Sequence, residues 1–185
     1  MAAGSAAQLL RVPGRMVIDP TDLSVVYPYG GTEIGLVRQV VVQPLGTGLR
    51  VTSEPLGDAT DVLEADTRHV VACFVRGWND DALRLLFPDQ YDAGAISGHA
   101  VYTVPNRVRP GSSTLSRARR FLYVPDDVVR APALLVDRGL PDWSPGAELA
   151  FQRGAELGLP LAVECIRTAA GRILSIGRLA DLTLE

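Results

Sequence analysis

Apolar residues in this chain fall in short blocks separated by proline, glycine and charge, with no βαβ rhythm. Residues 1–20 are small, polar and apolar by turns. Pro13, Gly14 and Pro20 interrupt them, which predicts an N-terminal arm over 1–20 and a single domain over 21–185. Leu23 to Tyr29 is β-branched and aromatic, is closed by Gly30-Gly31 and reads as a strand. Ile34 to Val42 has the same character and stops before Pro44. Gly46 and Gly48 then predict a turn before an alternating pattern resumes at Leu49. Arg68 to Trp78 is a strongly apolar strand. Asn79 behind it is a good helix N-cap, Asp80 and Asp81 suit a first turn, and Leu83, Leu85, Leu86 and Phe87 follow before Pro88. A helix of two or three turns cannot stand alone, so its leucines must pack on a sheet.

Residues 89–99 and 105–120 read as loops, and Val101 to Val104 as a short strand between them. Phe121 to Val124, Val128 to Val136 and Leu159 to Arg167 read as strands, with Pro141 to Gly146 as a turn. Thr168 to Gly171 predicts a hairpin turn that pairs Ile173–Arg178 with the preceding strand, whereas 147–157 fits strand and helix alike. About eight to ten short strands and one short helix predict a mainly β protein, an antiparallel β-sandwich or barrel with one short α-helix attached.

Composition narrows the chemistry. The 185 residues are 47% hydrophobic and 21% charged, with a net charge of −3, which is globular and not a nucleic-acid clamp as a whole. All 18 basic residues are arginine. Without lysine there is no Walker-type phosphate loop, Schiff-base enzyme or lysine general base. Cys73 and Cys165 lie in apolar runs and are expected to be buried free thiols. The longest apolar run, Val70 to Val75, is far short of the ~20 residues a membrane span needs. No basic region precedes an apolar block at the N-terminus, so the expectation is a soluble protein made in a reducing cytoplasm.

No catalytic, metal or cofactor constellation assembles from these residue types. His69 and His99 are the only histidines, with no Cys-x-x-Cys and no His-Glu-x-x-His. His69 and Cys73 share a strand face, but four residues of strand set their backbones about 13 Å apart. Gly94-Ala-Ile-Ser97-Gly98 has the wrong spacing for a nucleophile elbow. Asp80/Asp81 and Asp126/Asp127 are explained by a helix start and a turn, and Gly30-Gly31-Thr-Glu-Ile-Gly35 leads into a strand instead of a phosphate-binding helix. These readings point away from an enzyme.

Charge is segregated instead. Glu54, Asp58, Asp61, Glu64 and Asp66 crowd segment 54–66 without an arginine, and Arg107, Arg109, Arg117, Arg119 and Arg120 crowd 105–120 without an acid. The two segments could meet within one chain, meet across copies, or remain solvated, and the arginines could touch nucleic-acid phosphate. Exposed ion pairs contribute only ~0–1 kcal/mol each, so charge of this kind sets register rather than affinity.

Three stretches resemble the tail tube proteins of long-tailed bacteriophages and related injection systems. The first is Tyr29-Gly-Gly-Thr-Glu-Ile-Gly35 leading into Leu36–Val42. The second is Val70-Val-Ala-Cys-Phe-Val-Arg-Gly-Trp-Asn-Asp-Asp-Ala-Leu-Arg-Leu-Leu-Phe-Pro88, similar to a family strand that crosses into a short helix. The third comprises Phe121–Pro125, Ala133–Val136, Leu159-Pro-Leu-Ala-Val-Glu164 and Gly171-Arg-Ile-Leu-Ser-Ile-Gly177, similar to the family's closing strands.

The resemblance implies a structural virion protein. Its subunits would form stacked hexameric rings around a channel through which DNA passes without specific binding. It also implies tail terminator, tape-measure and baseplate or distal-tail partners, no cofactor, and a place in the virion tail after synthesis in the bacterial host cytoplasm. Residues Pro44 to Asp66 and 1–20 would lie at ring–ring or subunit contacts, with 105–120 as receptor for the acidic hairpin. Arg38, Arg68 and Arg76 are the polar side chains whose placement distinguishes the core faces of strands 34–42 and 68–76 from their lumen or subunit faces. Two alternatives are a tail terminator, completion or neck protein on the same fold, and a DNA-binding β module using the arginines of 105–120.

Overall fold

The computed structural model describes residues 12–52, 59–76, 86, 91–96, 99–102, 115–143 and 158–185. Nine strands are present among them: β1 (Gly14–Ile18), β2 (Thr32–Thr52), β3 (Ala59–Arg76), β4 (Tyr91–Ile96), β5 (His99–Tyr102), β6 (Arg119–Pro125), β7 (Ala133–Trp143), β8 (Leu159–Cys165) and β9 (Ser175–Gly177). The order β6-β1-β2-β3-β8-β7 returns on itself because β6 also pairs with β7, giving a closed six-stranded antiparallel barrel. β4 and β5 pair separately as a two-stranded hairpin.

Alternation along the strands fills the ring. Met16 and Ile18 from β1, Ile34, Val37 and Val40 from β2, and Val71, Cys73 and Val75 from β3 form one core cluster. Phe121 and Tyr123, Leu134 and Val136, and Leu161, Val163 and Cys165 complete it from the other strands. The two-residue period of a strand selects these positions. The intervening Val17, Leu122, Val124 and Leu135 point out of the barrel yet are also buried. Leu23, Tyr27 and Tyr29 from the β1–β2 connection cover them, together with Leu179, Leu182 and Leu184 from the final segment. One side of the barrel therefore carries a second apolar layer.

The mainly β antiparallel barrel matches the pattern of the sequence, and several local expectations change. The expected arm over 1–20 includes β1, whose Met16, Val17 and Ile18 are fully buried, and residues 1–11 lie outside the described residues. Leu23–Tyr29 is a run of turns, not a strand. Tyr29 N–H donates to the Val26 carbonyl at 3.0 Å, Gly31 N–H donates to Pro28 at 3.0 Å, and Tyr29 and Gly30 hold φ of 60° and 70°. The apolar residues there cover the barrel's outside instead of pairing.

Gly46 and Gly48 make no turn, because β2 runs unbroken to Thr52. Residues 128–130 form a turn rather than a strand, held by the Asp127 carboxylate, which accepts from Val129 and Arg130 N–H at 3.2 and 3.1 Å. Pro141 lies inside β7, and residues 91–96 are a strand where a loop was expected. The 168–171 turn is present, with Gly171 N–H donating to Thr168 at 3.0 Å, but β9 pairs with β7 and not with β8. β8 and β9 thus share one edge of β7 end to end. The helix expected over 79–87 lies outside the described residues except for Leu86, which is helical and buried in the main core. Residues 147–157 also lie outside them.

The interior leaves no space at Gly139 of β7. A Cβ there would collide with Val163 Cγ1 and approach Phe121 Cδ2 to 2.9 Å. Gly139→Ala is expected to cost about 1–3 kcal/mol through overpacking, read as a lower urea midpoint at unchanged slope. A midpoint equal to wild type would show that Phe121 and Val163 have room to yield.

Candidate functional site

The acidic segment is not a loop. Asp61, Glu64 and Asp66 stand on β3, paired with Val51, Gly48 and Thr47 of β2, and Glu54 and Asp58 lie outside the described residues. The third-strand partners stop short of this region: β1 reaches β2 only as far as Val37, and β8 reaches β3 only as far as His69. Beyond Pro44 and His69 the two strands pair only with each other among the described residues, from Leu45↔Arg68 to Thr52↔Ala59. Eight residues of β2 at ~3.3 Å each give a two-stranded ribbon that continues about 25 Å past the barrel. Pro44, which has no N–H to donate, is tolerated at this point because β2 there has a partner on one side only.

The basic segment divides. Arg107 and Arg109 lie outside the described residues, Arg117 ends a 3₁₀ turn (Leu115–Arg117), and Arg119 and Arg120 belong to β6 instead of a loop. Strand alternation sends the last two into different contacts. Arg119 Nη1 lies 3.5 Å from Asp19 Oδ2. Asp19 N–H donates to the Arg120 carbonyl at 2.9 Å, and the Arg120 N–H donates back to Asp19 Oδ1 at 3.1 Å. Arg120 Nε sits 3.4 Å from Asp137 Oδ1, its Nη1 donates to the Pro20 carbonyl at 3.2 Å, and its Nη2 donates to the Glu185 carbonyl.

Asp137 is the centre of this cluster, its side chain only 2% exposed. Arg172 donates to Asp137 Oδ2 from Nε at 2.7 Å, with Nη2 at 2.5 Å from the same oxygen. Glu185 N–H donates to Asp137 Oδ1 at 3.2 Å, and Arg172 Nη2 donates to the Thr183 carbonyl at 2.8 Å. One buried carboxylate and two arginines therefore hold residues 183–185 against the barrel. Asp137, Arg172, Asp19 and Glu185 were not legible as a group, since they come from four separate segments. The only signal was a carboxylate directly behind the apolar run Ala133–Val136.

His69 stands opposite Cys165 across the β3–β8 pair, not beside Cys73. Burial pushes both thiols, Cys73 and Cys165, up to about 12 from an ordinary 9.0, so at neutral pH both are protonated and not nucleophilic. Among the described residues no group of three His, Cys, Asp or Glu side chains could hold a metal ion. Arg15 lies 3.3 Å from Glu33 and 5.6 Å from the Tyr27 ring centroid, tying β1 to the connection that covers it. An open groove of about 410 Å³ is lined by Leu23, Val128, Val129, Arg178, Leu179 and Ala180.

Comparison with protein-family models gives no match to this chain, and comparison with curated proteins gives none either. Functional inference therefore rests on the geometry above.

Two outcomes follow from these groups. Asp137→Ala leaves the Arg120 and Arg172 guanidiniums, about four-fifths buried, without their shared carboxylate. The expected loss is about 2–4 kcal/mol, below the fully buried limit because both arginines keep some solvent, and denaturant unfolding reads it. The thiols keep their protons in the folded chain where the unfolded chain loses them. Their contribution is therefore complete below about pH 9 and falls as pH rises toward 12, by about 1.4 kcal/mol per unit for each thiol. Urea unfolding at pH 8 and pH 10 should differ by about 3–4 kcal/mol in the native chain, Tyr27, Tyr29 and Tyr123 adding a smaller share in the same direction, and Cys73→Ala/Cys165→Ala should remove about 2–3 kcal/mol of it. An equal difference in the double variant would assign the effect to other groups.

Proposed function

We propose that this chain is a structural, self-assembling subunit: a tail tube protein of a long-tailed phage or phage-like particle, closing into hexameric rings that stack around a channel for DNA. The β2–β3 ribbon carries this reading. A closed barrel has no open strand edges, yet here two strands run about 25 Å beyond it and, among the described residues, pair only with each other. An isolated two-stranded ribbon is marginal in water and gains stability when a neighbour covers it. A projecting ribbon on a closed barrel suits a contact between copies better than it suits a pocket.

The order of elements supports the same reading, with a barrel strand leading toward Leu86 of the main core and closing strands after it. On this reading the partners are further copies and the other tail proteins, the place of action is the virion tail, and the work is done by geometry. A heterologous contact that does not close on itself extends into a tube.

Negative-stain electron microscopy of the purified protein, concentrated at low and at high salt, tests this directly. Rings or tubes with a central channel are expected, with stacking weaker at high salt. Single rings that never stack would move the assignment to a terminator or neck protein on the same fold. Compact single particles at every concentration and salt would sink the assembly reading.

A further inference from the structure

Two turns on the covered side of the barrel present valine where turn chemistry does not call for it. Val25 and Val26 in the β1–β2 connection are exposed, the second at 89%, and so are Val128 and Val129 between β6 and β7, the second at 84%. Turns favour glycine, proline, asparagine, aspartate and serine, and a β-branched side chain left in water adds nothing to the fold. Both turns are locked. Asp22 Oδ1 accepts from Ser24 N–H at 2.8 Å and from Ser24 Oγ at 2.7 Å, and Tyr29 N–H closes on the Val26 carbonyl at 3.0 Å. The Asp127 carboxylate holds Val129 and Arg130, and Ala131 N–H donates to the Asp127 carbonyl at 3.0 Å. Four valines are therefore fixed in place, and a contact made with them has little backbone entropy to lose.

The two turns border the open groove of about 410 Å³. Leu23, two residues ahead of Val25, lines it with Val128, Val129, Leu179 and Ala180, and Arg178 is the one polar side chain of the lining. Small-molecule sites of this volume converge several placed polar groups on the ligand, and this groove does not. An apolar lining with a single cation suits an apolar knob that has a carboxylate beside it. Val25 and Val26 form such a knob, flanked by Asp22. The Ser24 hydrogen bonds hold the Asp22 carboxyl below the usual carboxylate range, so it is ionised at neutral pH, and both bonds fall on Oδ1. Arg178 is exposed and, among the described residues, forms no ion pair. Knob and groove thus share one face of the molecule, which is what a two-fold contact between identical chains requires.

We propose that the groove between the β1–β2 connection and the 127–131 turn receives the Val25–Val26 loop of a second copy of this chain, with Asp22 of each copy meeting Arg178 of the other. The contact is reciprocal and closes at two subunits, so it goes beyond the assembly reading and does not use the β2–β3 ribbon. Burial of the valines gives the affinity, and the two ion pairs set the register.

Sedimentation velocity of the full chain, at concentrations below those that give rings or tubes, tests the proposal. The native chain is expected to pass from monomer to dimer as concentration rises. Val26→Asp and Val129→Asp should each raise the dimer dissociation constant at least tenfold, and Arg178→Glu severalfold. All three positions are exposed, circular dichroism checks folding, and each variant stands if another misfolds. Val26→Cys chains mixed with Val129→Cys chains should form a disulfide between the two turns under mild oxidation, identified by peptide mass spectrometry. Val26→Cys mixed with Val41→Cys, on the other side of the barrel, should not.

A native chain that stays monomeric at every concentration would overturn a second copy as the occupant. A dimer left unchanged by Val26→Asp, Val129→Asp and Arg178→Glu would overturn this contact. The assembly reading fails separately: loss of the dimer in Val26→Asp with rings intact supports the contact as an independent one, and native dimers that never give rings support it while sinking the tube.

Discussion

β6 pairs with β1 on one side and β7 on the other, and that double pairing converts an open sheet into a ring. A ring of six strands is only as wide as the side chains that fill it. Its inward positions must therefore be apolar and matched in volume, as Phe121 packed against the bare backbone of Gly139 illustrates. Closure also explains why the first described strand matters. Without β1 the sheet would have two open edges, at β2 and β6, and Met16 and Ile18 would be missing from the core.

The ring has a thick side and a thin side. Over β1, β6 and β7 the outward residues Val17, Leu122 and Leu135 are covered by the β1–β2 connection and the final segment, and those two covers are fastened by charge. Asp19 and Pro20 hold Arg119 and Arg120, and Arg120 shares Asp137 with Arg172 and the Glu185 backbone. Arginine suits this role because its planar fork reaches a carboxylate and backbone carbonyls at once. Over β2 and β3 Gly158 lies against the Phe74 ring, while Leu36, Arg38 and Val41 are exposed. The covered side adds a second apolar layer to the core.

The sequence announced the barrel because strand alternation is local: Val71, Cys73 and Val75, or Leu161, Val163 and Cys165, declare an inward face without help from distant residues. What it concealed was set at long range. Leu23–Tyr29 has strand composition, yet its apolar residues are used to cap Val17 and Leu122, and nothing nearby distinguishes the two uses. Gly46, Gly48 and Pro44 look like turn signals, but here they mark strands that have outrun their neighbours. The charged blocks were visible as composition, whereas the partners of Arg119 and Arg120 lie about a hundred residues earlier and at the end of the chain.

Among the described residues the β2–β3 ribbon has two edges without a strand partner, a form that invites indiscriminate strand pairing. This ribbon carries several of the known deterrents together. Pro44 lacks a donor, Gln39 at a φ of 56° bends the edge where β1 ends, and register shifts at Thr47/Gly48 and Val51/Thr52 interrupt the ladder. Acidic residues along β3 oppose the approach of a second identical ribbon, since like charges would then face each other.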